Sequence, residues 1–510
     1  MHLAKQTRAH TFRRFLPLLM TLSLAEFSAA QAIPSSPETR MFQTRSVKSV
    51  GQGIHIIRVS DQKDIFSQNA DTLYSPASVT KLLTSAALLH YFGPEHRFTT
   101  KFFYTGTLKN GVISGNLIIE GDGDPLFISE TLWQVAADLQ NKGIKEIKGH
   151  LQINNSLFGG VIRDEIRLEG ESASNHAYDA PVTAFGVNFN TVAIAVSPAE
   201  TIGQKALVQL DPLPVKGIHI DNQIKTVSAN QKTQIRATRV SLPAGESKIV
   251  VNGRIPVKEA TKKIYRSVND PVLSSGEIVR AFLKQQHIEL RGKTETIASN
   301  PAGSTPLLEV KSKTISEIIH SLNLYSNNYI ADVMVKRLGA EASRIFKLKE
   351  ADQPGTYDNG MDAIRRFMTD EVGLKDSFTL INGSGLTTQN RLSARQLSRL
   401  LIYVAKRWDI FPEFIASLPL AGASGTLESR FSSKLTSTLK GQVRAKTGSL
   451  SSPFLVSSLA GYMHHEKHGL LVFTIIQNSP RGKNKPGILD LQESQEIGLS
   501  KLSRYLQSGY

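Results

Sequence analysis

The feature that most limits the fold is a change of period along the chain. From about Arg97 to Leu308 apolar and polar residues alternate in short runs, such as Lys101–Tyr104, Asn116–Glu120, Thr191–Val196, Ala206–Leu210 and Lys248–Val251. Gly, Asn, Asp and Pro part these runs, a pattern of strands and turns. Two helical runs interrupt the block, Glu130–Asn141 and Gly276–Gln285. Outside it helical spacing dominates, in a run opening near Ser78 and in Ile315–Leu322, Asn327–Leu338, Tyr357–Met368 and Ala394–Lys406. A hairpin of Gly53–Val59 and Lys63–Ser67, two late strands (Gly448–Tyr462 and Gly469–Gln477) and a closing amphipathic helix, Leu491–Leu506, complete the pattern. This reads as a multi-domain α/β protein: residues 33–96 and 309–510 build one α/β sandwich, and residues 97–308 interrupt it as a β-rich insertion, with an inner subdivision at about 210–265.

Residues 1–32 read as a secretory signal peptide. Lys5, Arg8, Arg13 and Arg14 form its charged start, Phe15 to Ala25 its apolar core, and Ala30-Gln31-Ala32 a cleavage site. No later stretch is long and apolar enough for a membrane span. The expected location is the periplasm, with the protein soluble or peripherally associated. Without cysteine the chain has neither a disulfide nor a lipid anchor on a processed N-terminal Cys, so packing must hold it together. Past the leader, 56 Lys+Arg stand against 43 Asp+Glu, a net charge of +13. That balance suits association with an anionic envelope polymer or a membrane surface. Nucleic acid is the weaker partner, because the positive charges read as dispersed, no nucleic-acid motif is present and export removes the usual target.

Three short motifs carry chemistry. In Pro76-Ala77-Ser78-Val79-Thr80-Lys81 a turn opens an apolar helix, and residues three apart share a helix face. Lys81 is thereby placed beside the hydroxyl of Ser78, a candidate nucleophile. The spacing is weak evidence alone, since Ser60 with Lys63 and Ser437 with Lys440 repeat it without an apolar helix behind them. Ser326-Asn327-Asn328 opens a second helix and can present a hydroxyl and an amide from a loop. Lys446-Thr447-Gly448-Ser449 leads into a strand, where a cation and a hydroxyl suit a carboxylate and Gly448 leaves room for a ligand. Read singly, these are a helix cap, a loop and a strand-entry turn.

Their order, S-x-x-K then S-x-N then K-T-G, matches penicillin-binding proteins and class A β-lactamases. The chain resembles the penicillin-binding protein 4 type of D-alanyl-D-alanine carboxypeptidase/endopeptidase, the class C low-molecular-mass penicillin-binding proteins. The likeness extends to Gly121-Asp122-Gly123-Asp124-Pro125, Ala180-Pro181-Val182-Thr183-Ala184, Gly383-Ser384-Gly385-Leu386, Gly425-Thr426-Leu427 and Leu459-Ala460-Gly461-Tyr462. It implies a transpeptidase-like domain of helices around an antiparallel sheet, interrupted by a large insertion. It also implies peptidoglycan stem peptides as substrate, β-lactams as inhibitors and no metal or cofactor. On this resemblance Ser78 is the nucleophile, Lys81 the general base with its pKa lowered by burial beside Lys446, and Ser326 the proton relay. Asn328 binds the substrate amide and orients Lys81. Lys446 and Thr447 bind the terminal carboxylate beside Gly448, and the N–H groups of Ser78 and Ser449 form the oxyanion hole.

The chain departs from the family pattern at Asn382, where Asp is usual, at Thr387, and at Asn154-Asn155-Ser156, where acidic residues are usual. His464-His465-Glu466-Lys467-His468 lacks the H-E-x-x-H spacing of a zinc site and reads as a solvated hairpin turn. Asp122 and Asp124 lack a calcium-ligand series and read as a turn. Two other functions stay open, a β-lactamase-like enzyme and a non-catalytic cell-wall-binding protein. Against the first stand the missing E-x-x-L-N segment and the 248 residues from Ser78 to Ser326; against the second, the intact motif set.

Overall fold

The computed structural model describes residues 41–42, 50–159, 175–347, 354–482 and 485–508. The expected signal peptide and its cleavage site lie outside these residues. A five-stranded sheet runs in the order Val443–Leu450, Leu455–His465, Gly469–Ser479, Gly51–Arg58, Asp64–Gln68, so both ends of the chain contribute to it. Every pairing in it is antiparallel. The strand expected over Gly448–Tyr462 is in fact two. Ser451-Ser452-Pro453 separates them, and proline has no N–H to continue a ladder.

Both faces of this sheet are buried, which explains its nearly unbroken apolar runs. Along Gly469–Ser479, Leu471, Phe473 and Ile475 pack with Leu499 and Leu502 of the closing helix Ile488–Ser508. The alternate residues Val472 and Ile476 join the core of the helices on the other face. That core includes Leu82, Leu83 and Ala86 of helix Lys81–Phe92, Val333 and Met334 of helix Asn328–Ala340, and Leu400 and Leu401 of helix Ala394–Ala405. Burying large side chains at about 1.5–3 kcal/mol each fixes where the motif-bearing ends of these elements lie.

Residues 99–311 form further sheets. One mixed sheet, ordered Thr294–Ile297, Leu151–Asn154, Leu117–Glu120, Thr99–Tyr104, Thr305–Lys311, is backed by helices Ser129–Asn141 and Pro271–Gln285. The latter helix starts five residues before the position its apolar spacing suggests. The Asp270 carboxylate accepts from the N–H groups of Val272 and Leu273 at 2.9 Å each, and Pro271 fits the first turn. Two three-stranded sheets close a separate core around Ile194, Val196, Ile224, Ile249 and Val251. Most of the excess positive charge lies in these strands and the turns between them: residues 205–266 carry 12 Lys+Arg against 4 Asp+Glu. The reading of that charge as dispersed is thus corrected. Among the described residues no helix is long and apolar enough to cross a membrane.

Candidate active site

Ser78 sits in a 3-10 turn, Ala77–Thr80, that runs directly into helix Lys81–Phe92, rather than in the α-helix itself. The Thr80 hydroxyl donates to the Ala77 carbonyl at 2.8 Å and tightens that turn. Ala77, just before the nucleophile, is held at φ +48°, as Ser326 is at +55°. Two non-glycine residues in the left-handed region flanking one cleft are the kind of backbone strain that functional sites store. Two glycines let the backbone close around Ser78. A Cβ on Gly448 would stand 2.6 Å from the Pro76 carbonyl oxygen and 3.2 Å from the Ser78 nitrogen. One on Gly385, itself at φ +74°, would stand 2.1 Å from the Ala77 carbonyl oxygen.

The structure brings the three motifs together. Lys81 and Lys446 are both fully buried. The Lys81 Nζ reaches Ser78 Oγ at 3.0 Å, Asn328 Oδ1 at 2.7 Å and the Ser384 carbonyl oxygen at 2.5 Å. The last two partners can only accept. In its neutral form the amine would spend both N–H bonds on them and have its lone pair left for the Ser78 hydroxyl, the arrangement that general-base catalysis requires. The Lys446 Nζ donates to Ser326 Oγ at 2.7 Å and to the Thr447 carbonyl at 2.8 Å. Burial, and then the neighbouring Lys81, hold the Lys446 ammonium well below the usual lysine range.

The strand's alternation sorts the third motif. Lys446 and Gly448 are buried against the turn, while Thr447 is partly buried and Ser449 exposed. Asn327 accepts from the Ile330 N–H at 3.1 Å and caps helix Asn328–Ala340, which leaves Ser326 and Asn328 on either side for the cleft.

Three parts of the site escaped the sequence reading. The Ser384 carbonyl is presented by a buried loop. Within it Asn382 Oδ1 accepts from the N–H of Ser384 (3.0 Å), the hydroxyl of Ser384 (2.8 Å) and the N–H of Leu386 (3.2 Å). Asn390 ties that loop to the nucleophile turn, donating to the Asn382 carbonyl at 2.7 Å and to Thr80 Oγ1 at 3.2 Å. Second, the Thr447 hydroxyl donates to that of Thr426 at 2.8 Å. Third, Asn328 Nδ2 points at the Tyr178 carbonyl at 3.5 Å, so residues 177–179 border the cleft. The loop motif G-S-G-L and the G-T-L segment were the available signals, but neither shows which atom it presents.

Among the described residues no group of three or more His, Asp or Glu side chains is arranged to hold a metal ion. The histidine-rich hairpin is not wholly solvated: His465 is buried, its Nε2 3.0 Å from the Ser503 carbonyl oxygen. Asp122 accepts from the Thr99 N–H and pairs with Arg337 at 3.3 Å, and Asp124 caps the following turn at the Leu126 N–H. Asn155 Oδ1 accepts from the Phe185 N–H at 2.7 Å, a bond within the segment 99–311.

A serine–lysine pair at a helix start, a Ser–Asn loop and a Lys-Thr-Gly edge strand on an antiparallel sheet define the penicillin-binding, transpeptidase-like class of folds. Within that class the chain belongs to the D-Ala-D-Ala carboxypeptidase 3 (S13) family, which it matches over residues 40–494. It is a serine-type carboxypeptidase of the penicillin-binding protein 4 kind. A D-alanyl-D-alanine carboxypeptidase from Actinomadura sp. is 27% identical over 516 residues, covering 95% of this chain and 89% of the relative. The crystal structure of penicillin binding protein 4 from Haemophilus influenzae superposes with a TM-score of 0.72 at 22% identity, covering 93% of this chain and 99% of that one. A predatory peptidoglycan endopeptidase from Bdellovibrio bacteriovorus has a TM-score of 0.50 at 16% identity, covering 90% and 94%. The two structures show a shared fold.

Proposed function

We propose that this protein hydrolyses peptidoglycan stem peptides in the periplasm, cutting the terminal D-Ala-D-Ala bond, cross-links made through D-Ala, or both, by way of an acyl-serine intermediate. The observation that carries this reading is the Lys81 amine 3.0 Å from Ser78 Oγ with its other bonds committed to acceptors. Lys81 takes the Ser78 proton as Oγ attacks the carbonyl of the penultimate D-Ala. The N–H groups of Ser78 and Ser449 stabilise the resulting oxyanion, at roughly 3–4 kcal/mol per donor. Ser326, held by Lys446, passes the proton to the leaving amine. Water then cleaves the ester, with Lys81 again as base.

Substrate binding itself sets the charge on Lys446. A terminal carboxylate entering beside it opposes the repulsion from Lys81 and favours the ammonium form. Thr447, released from Thr426, then donates to the same carboxylate, and Asn328 turns its amide from the Tyr178 carbonyl to the substrate. Residues 97–308 act as an insertion that walls one side of the cleft through Tyr178. Penicillins acylate the same serine.

Digestion of defined muropeptides tests the reading. Release of free D-Ala from monomers, or of monomers from cross-linked dimers, is the expected outcome. Binding of sacculi with neither product would replace it with a wall-binding role.

A further inference from the structure

We infer that the outer face of the sheet formed by Ile218–Val227, Ser247–Pro256 and Gln234–Ser241 is a second binding site for the anionic sugar–peptide polymer, separate from the cleft. The inference rests on the proposed function for the identity of the polymer and on sheet register for its location.

Register aligns like charges. Lys205 bridges to Lys225, Lys225 pairs with Arg254, and Arg254 pairs with Gln234. Residues directly opposite point to the same face, so three cations stand in one row, spaced at about 4.8 Å per strand. Arg236, opposite Asn252, lies on the diagonal from Arg254 on the same face. Like charges directly opposite one another destabilise a sheet. Among the described residues these cations make no ion pair: the four acids of residues 205–266 bond to other basic side chains, and Asp221 acts on Lys205 only through its charge. Asp221, on this same face, pairs with Lys248 at 3.0 Å, Asp211 with Lys263 at 2.7 Å, Glu259 with Lys262 at 2.8 Å and Glu246 with His219 at 3.1 Å. Arg254 also carries a buried Nε–H without a hydrogen-bond partner.

The surroundings favour a carbohydrate–peptide chain over a lipid surface. Gln223, Gln234 and Asn252 flank the cation row on the same face and offer amides to sugar hydroxyls and peptide groups. The large exposed apolar side chain of this face, Val240, lies at the other end of its strand, opposite Lys248. Each stem peptide of the polymer carries free carboxylates, which match a row of cations in a way a neutral or apolar ligand does not. The site would hold the wall while the cleft samples neighbouring stems, raising their effective concentration.

The test is a triple variant, Lys205→Gln, Lys225→Gln and Arg254→Gln, against a charge-matched control, Lys109→Gln, Lys142→Gln and Lys148→Gln. Pelleting with purified sacculi at low salt reads binding without requiring catalysis, and hydrolysis of a small soluble D-Ala-D-Ala peptide reads the cleft. The triple variant is expected to lose roughly tenfold in sacculus affinity and in sacculus turnover, to keep its rate on the small peptide, and to match the wild type at about 1 M salt, where surface charges are screened. The control is expected to behave as wild type. Unchanged sacculus binding by the triple variant, an equal loss in the control, or a loss confined to anionic vesicles would overturn the inference. A wild type that pellets with sacculi through this row yet hydrolyses no peptide would overturn the catalytic reading alone.

Discussion

The cleft and the outer sheet face use the same kind of charge in opposite ways. In the cleft two lysines are fully buried, and Lys446 is bound by acceptors as near as 2.7 Å, so its protonation answers to its immediate surroundings rather than to bulk solvent. On the sheet face Lys205 and Lys225 are exposed in a row with Arg254, and the carboxylates of residues 205–266 make their ion pairs with other basic side chains. A buried cation is costly unless its surroundings are built for it, so the cleft lysines imply chemistry. An exposed row costs little and is screened by salt, so it implies a diffuse, polymeric partner.

Removing Lys81 should break the buried side of this comparison most severely. Lys81→Met deletes the base and leaves Asn328 Oδ1 and the Ser384 carbonyl without their donor. Acylation by penicillin should slow by about 10³-fold, within the range of general-base loss, as followed by stopped-flow fluorescence.

A buried acid obeys the same rule with the sign reversed. Burial raises the Asp124 carboxyl from 3.8 to about 6. Its folded pKa exceeds the unfolded one, so its contribution is most favourable below pH 3.8 and is lost as pH rises through about 6. Asp124→Asn should therefore stabilise the protein at pH 7 by about 2–3 kcal/mol, with the gain vanishing near pH 4 in denaturant titrations.

Positioning gives a smaller effect. Asn382→Ala removes the acceptor that shapes the Ser384 loop, and the displaced carbonyl should cost roughly 10–100-fold in kcat with KM little changed. Asn382→Asp keeps that acceptor and should restore most of the rate, whereas a merely structural role would show in thermal stability and not in kcat. On the exposed side the effect is smallest and opposite in direction. Lys225→Gln should raise stability by a few tenths of a kcal/mol at low salt, by relieving repulsion from Lys205 and Arg254. Calorimetry at two salt concentrations reads that difference.

The same contrast explains what could be read from the sequence. Ser78, Lys81, Ser326, Asn328 and Lys446 were legible because each lies in a short motif whose helix start, loop or strand follows from local periodicity. The Ser384 carbonyl was not, since a backbone atom 303 residues from its partner has no signature of its own. Gly448–Tyr462 reads as one strand because both halves are apolar, and the Pro453 turn divides them. The cation row was hidden for a different reason. Lys205, Lys225 and Arg254 are far apart in sequence and become neighbours only through strand register, so their charge read as spread along the chain.

The central claim is that Ser78, activated by Lys81, forms the covalent intermediate. Incubation with a fluorescent penicillin followed by peptide mass mapping tests it most directly. The adduct should sit on Ser78, be absent from Ser78→Ala and persist in Ser60→Ala and Ser437→Ala. A Ser78→Ala protein that still labels in full would contradict the account.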